Sequence, residues 1–175
     1  SVPMPHYLDH NATSPLLPAA REAMLDVLDA ANTASAHAAG QAASMVVDAA
    51  RMKVARLLGR DPRQGTFTSG ATEANAMVVR GLQTTARPLI LTSAVEHRSV
   101  LEHATHIVPV DEQGVIQRGV LRQMVKELAG ELAVISVMAA NNETGVLQPM
   151  DDIAEMARDA GVPRHCDATQ LIGRL

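Results

Sequence analysis

The chain has 175 residues and a net charge of −4, from 15 basic and 19 acidic side chains, and aromatic residues make up only 1% of it. This excludes the basic stripe and stacking aromatics of a nucleic-acid binder. No apolar run approaches the ~20 residues of a membrane span, and a single cysteine rules out an internal disulfide and fits a reducing compartment.

The opening stretch, Ser1-Val2-Pro3-Met4-Pro5-His6, has neither the basic nor the apolar region of a secretory signal, so a cytoplasmic location is expected. It also lacks an initiator Met, from which some trimming is expected. Leu16 to Ala30 reads as a helix with Pro15 and Pro18 near its start. The small-polar stretch 31–37 reads as a loop. Gly40 to Leu58 carries Val46, Val47, Ala50, Val54, Leu57 and Leu58 at helical spacing, and Gly59 fits its stop. A short strand is expected over Thr66 to Thr68, then a helix from Ala71 to Leu82. Pro88 to Ser93 reads as a buried strand, and His106 to Val110 as an edge strand because of Pro109. Val120 to Leu128 is helical, Leu132 to Met138 is the strongest strand signal, Met150 to Ala160 is helical, and Val162 to Asp167 is the last strand.

Strands alternating with helices predict an α/β fold with a mostly parallel sheet flanked by helices. Ligands of such sheets bind at the carboxyl ends of the strands. The unusual polar clusters all fall there: Ser69 to Asn75, Glu96-His97, Asn141-Asn142-Glu143 and Asp167 to Gln170.

Each cluster has two readings. Gly70-Ala71-Thr72 sits at a helix start, where free N–H groups and the Thr72 hydroxyl suit a phosphate. It equally suits plain capping, with Ser69 as N-cap and Glu73 favoured by the helix dipole. Asp167, an acid at a buried strand end, pairs with a cation such as a pyridinium nitrogen or caps a following helix. His97 stacks on a flat cofactor and moves protons, or is a loop histidine. Asn141 and Asn142 form a tight turn or bond a ligand. His165 and Asp167 share a strand face that Cys166 does not, so the three make no triad, and Cys166 reads as a small buried hydrophobe. The histidines lack metal-ligand spacing, and no metal is expected. A phosphate cradle with a distant strand-end acid predicts a phosphorylated cofactor whose ring needs tuning.

Taken in order, the clusters resemble the cysteine desulfurases of the class V aminotransferase superfamily. The resemblance starts at Tyr7-Leu8-Asp9-His10-Asn11-Ala12-Thr13-Ser14-Pro15. Asn32 to Gly40 is similar to the family's Asn-Pro-Ser-Ser-x-His-x-x-Gly loop, with Thr33 and Ala34 replacing two positions. Phe67 to Asn75, Glu96-His97, Asn141 to Gly145 and His165 to Gln170 follow. The resemblance implies residues 1–14 as an N-terminal segment and 15–175 as part of the large domain of a pyridoxal phosphate-dependent transferase.

By position, it implies that Ala71 and Thr72 hold the cofactor phosphate, and that His97 stacks on the ring and aids proton transfers. Asp167 would pair with the pyridine nitrogen, Gln170 would bond the ring hydroxyl, and Asn142 would lie near that hydroxyl and the substrate. The implied reaction takes sulfur from L-cysteine, leaves L-alanine, and passes the sulfur as a cysteine persulfide to a sulfur-acceptor protein, as in iron–sulfur cluster assembly. The complete enzyme would be a homodimer.

The family's cofactor-bonding lysine, in Ser-x-His-Lys, its persulfide cysteine and its substrate-binding arginine match nothing up to residue 175. The only lysines are Lys53 and Lys126, both in helical patterns. The chain therefore reads as a front half, inactive alone, with exposed apolar surface that favours self-association. The family's longer helix before the strand at Val110 is shortened here. Other readings are a selenocysteine lyase or epimerase of the same superfamily, a non-catalytic protein that keeps the fold, and a nucleotide-binding α/β protein, against which the missing Walker and dinucleotide fingerprints count.

Overall fold

The structure, a computed structural model, describes residues 6–174; residues 1–5, which begin the segment expected over 1–14, and Leu175 lie outside the described residues. The chain divides into two compact units, with the boundary between Phe67 and Thr68.

The first unit holds α1 (Pro18–Leu25), α2 (Ala38–Leu57) and a 3-10 turn (Pro62–Gln64). Helix α1 is shorter than the expected 16–30, and it buries none of its residues. A short helix gains most of its stability from packing, so one that packs little ends early. Helix α2 is capped by His37, whose ring accepts the Gly40 N–H. Only Gly40, Ala43 and Ala55 of α2 are buried. At Gly40 the helix meets the preceding loop closely: a Cβ there would lie 2.2 Å from the Ser35 carbonyl oxygen and 2.7 Å from Ser35 Cβ. Residues 66–68, expected as a strand, form none. Their spacing signals extension, but a strand also needs a partner, and none is present among the described residues.

The second unit contains α3 (Ala71–Gly81), β1 (Leu89–Ser93), α4 (Arg98–Leu101), β2 (His106–Val108), α5 (Arg118–Leu128), β3 (Leu132–Ser136), α6 (Met150–Asp159) and β4 (Arg164–His165). The four strands form one sheet in the order β2-β1-β3-β4, every pair parallel. The expected parallel sheet is thus borne out, with β2 and its following Pro109 at an edge. Helix α4 is one turn long and lies where the sequence shows no helical period.

Strands β1 and β3 are covered on both faces, which is why both read as unbroken apolar runs. On one face Ile90 and Val134 pack with Val79 of α3. On the other, Leu91, Leu132, Ile135 and Val137 pack with Leu121 and Val125 of α5 and Ile153, Met156 and Ala157 of α6. This double cover fixes the register, so the carboxyl ends of β1, β3 and β4 open along one edge.

Candidate functional site

The polar clusters of the second unit meet along that edge. Asp167 follows β4 and is 8% exposed. Its Oδ2 accepts the Asn75 side-chain N–H at 2.8 Å, and its Oδ1 accepts the Thr169 backbone N–H at 3.0 Å. Burial pushes this carboxyl up, but the bonds from Thr169 and Asn75 and the nearby His165 outweigh it, and it titrates below its ordinary value. Asp167 is therefore an anion at neutral pH, with acceptor capacity to spare.

Ala71 and Thr72 open α3. Its N-cap is Gly70, not Ser69 as expected, and no side chain caps the first turn. Ser69 instead donates through its backbone N–H and its hydroxyl to Glu73, each at 2.6 Å. These bonds hold the Glu73 carboxyl below its usual range. The first N–H groups of α3 thus keep the unpaired, positive end that an anion seeks. Asn75, near the start of α3, bonds Asp167 after β4, which brings this end to the carboxyl edge of the sheet.

His97 is exposed and caps α4 by accepting the Ser99 N–H on Nδ1 at 3.2 Å. Asn142 is half-buried in the β3–α6 connection, and Gln170 is half-buried in the turn after Asp167. The neighbouring Asn141 shapes its own turn. It donates to the Val95 carbonyl at 2.9 Å and accepts the Glu143 and Thr144 N–H groups at 2.9 Å each. Hydrogen bonds link Asp167, Asn75, Ser99 and His97 into one cluster, and Asn142 and Gln170 follow strands of the same sheet edge.

Three further residues matter here that sequence reasoning assigned no role. Asn75 is 4% exposed and lies one turn from buried Val79 on α3, and a polar residue on a buried helix face is a readable signal. Ser99 had no signal. Glu96 is 5% exposed, with Oε1 accepting the Met138 N–H at 2.9 Å and the Ser93 hydroxyl, while Oε2 is buried without a hydrogen-bond partner. Burial, with a push from Asp167, carries its carboxyl up to about 7 against these two bonds.

Cys166 is half-buried, and burial pushes its thiol up, so it is no activated nucleophile. Lys126 lies on α5 against α6, lining a groove with Arg122 and Glu155. No group of metal-ligating side chains occurs among the described residues, and no helix there is long and apolar enough to cross a membrane.

The residues present fit pyridoxal phosphate. An uncapped helix end suits its phosphate, and a buried, ionised, part-satisfied carboxylate suits its pyridinium nitrogen.

Known proteins resemble this chain over nearly its whole length. A cysteine desulfurase from Frankia sp. is 39% identical, over 97% of this chain and 45% of its own length. A cysteine desulfurase IscS from Pectobacterium carotovorum is 35% identical, over 98% of this chain and 46% of its own. The solved NifS-like protein from Rickettsia africae superposes with a TM-score of 0.86 at 30% identity, covering 97% of this chain and 49% of that one. The chain spans about half the length of the curated relatives it matches. Residues 6–175 match the family described as aminotransferase class-V, and the chain belongs to that family.

Proposed function

We propose that this chain is the cofactor-holding part of a pyridoxal phosphate-dependent cysteine desulfurase, which takes sulfur from L-cysteine and leaves L-alanine. The observation that carries the reading is Asp167, buried yet ionised at the sheet edge. When bound, the cofactor supplies an electron sink for the substrate carbon. Asp167 would pair with the pyridine nitrogen, its fixed negative charge favouring the protonated form. Ala71 and Thr72 hold the phosphate at the start of α3. His97 would stack on the ring and aid proton transfers. Gln170 would bond the ring hydroxyl, and Asn142 would lie near that hydroxyl and the substrate.

Lys126 lies on α5 in the groove beside α6, and Lys53 lies on α2 of the first unit. The bonding lysine and the persulfide cysteine therefore come from further polypeptide, and the sulfur passes to an acceptor protein from a homodimeric, cytoplasmic enzyme. Cofactor binding by the chain, followed by absorbance and equilibrium dialysis, tests the reading. The expected result is reversible binding, weakened roughly 10- to 100-fold by Asp167→Asn through loss of a charge-assisted bond. Sulfide and alanine should form from L-cysteine only when the lysine- and cysteine-bearing polypeptide is present. No binding, or binding indifferent to Asp167→Asn, would overturn it.

A further inference from the structure

Asn75 and Asp167 stand 92 residues apart in sequence and meet under the site. The Asn75 side-chain nitrogen donates to Asp167 Oδ2 at 2.8 Å and to Ser99 Oγ at 3.0 Å. Ser99 Oγ lies 2.8 Å from His97 Nδ1, and the Ser99 backbone N–H donates to the same ring nitrogen at 3.2 Å. Asn75 and Ser99 are both at least nine-tenths buried.

The donor directions in this chain of bonds follow from one group. An aspartate carboxylate only accepts, so the Asn75 atom facing it is the amide nitrogen. That NH2 places its second hydrogen on Ser99 Oγ. The Ser99 hydroxyl cannot return a proton to a donor, and its other neighbour within hydrogen-bonding reach is His97 Nδ1. That nitrogen receives both an O–H and an N–H, so it carries no hydrogen, and the neutral ring keeps its hydrogen on Nε2. Two donors at one ring nitrogen also fix the rotation of the ring about its stem.

We propose that Asn75 and Ser99 are positioning residues that couple Asp167 to His97, fixing the His97 ring in one rotation as the Nε2–H tautomer. The use of this coupling rests on the pyridoxal phosphate reading, since Asp167 and His97 are the groups placed at the ring. The tautomer does not rest on it, because the bonds are made by the chain alone. A histidine free to turn would present either nitrogen to the site, whereas this one offers a single donor from Nε2.

The test is the two-bond nitrogen–proton NMR correlation of the 15N-labelled, cofactor-free chain, with His97 assigned through His97→Gln. The expected ratio of Nε2–H to Nδ1–H exceeds that of free histidine by about fivefold or more, the worth of one ordinary hydrogen bond. Ser99→Ala should reduce the ratio by about the same factor, Ser99→Thr should restore it, and Asn75→Leu should lower it by leaving the Ser99 hydroxyl unaligned. A wild-type ratio equal to that of free histidine overturns the proposal, even if every variant unfolds. So does a ratio that Ser99→Ala leaves unchanged. A high ratio in a chain that binds no pyridoxal phosphate would support the coupling and count against the cofactor reading alone.

Discussion

Glu96 should govern how stability depends on pH. Its carboxyl titrates near 7 in the folded chain, against an ordinary value of 4.5. The folded state therefore holds this proton more tightly than the unfolded one. The associated stability is full below the unfolded value and is lost as pH rises through about 7. The full loss is about 3 kcal/mol. His165, whose imidazole burial pushes down, works the other way below its ordinary value of 6.5, so wild type alone does not isolate the effect. Urea unfolding at pH 5 and pH 8 should show wild type losing stability relative to Glu96→Gln as pH rises. An equal pH dependence in both chains would contradict the assignment. Asp167 contributes oppositely: its lowered carboxyl stabilises the fold above its unfolded value and gives that up as pH falls into the acid range. Gly40→Ala should cost roughly 1–3 kcal/mol by overpacking, because the new Cβ meets backbone rather than a flexible side-chain end. Thermal melts would measure it.

The elements differ sharply in how much they hold the fold. Strand β3 is buried at every position and lies between β1 and β4. Ile135→Ala should cost about 2–5 kcal/mol, as lost burial plus a cavity. Arg118→Ala, at an ion pair that stays largely exposed between α5 and α6, should cost about 1 kcal/mol or less. Denaturant midpoints separate the two, and hydrogen exchange should find β1 and β3 slow and α1 fast. Legibility followed the same division. The runs at 89–93 and 132–136 were readable because burial on both faces leaves one continuous apolar signature. The cluster residues His97 and Asp167 were readable because one caps a helix and the other follows a strand. Helix α4 and the true extent of α1 were not, since one depends on a capping histidine and the other on packing that periodicity does not report.

Across the whole molecule, many large apolar side chains stay in water. In the first unit they include Leu17 at 70%, Leu28 at 69%, Met45 at 71% and Leu57 at 72% exposed. Apolar surface on this scale marks an association face. Light scattering should show the apparent mass rising with concentration, and Met45→Glu with Leu57→Lys should suppress the rise with little change in unfolding midpoint. A mass independent of concentration would refute this.

Composition, periodicity and the order of short polar motifs determined the α/β class, the parallel sheet and the family, because each is written into neighbouring residues. Only the tertiary structure decided the state of the site. Asn75 reaches Asp167 across 92 residues, and Glu96 reaches the Met138 N–H across 42. The charge of a carboxyl depends on what surrounds it in space. Asp167 remains an anion because Thr169 beside it and Asn75 from a distant segment both donate to it, while Glu96 retains its proton to near pH 7 because burial strips its carboxyl of water.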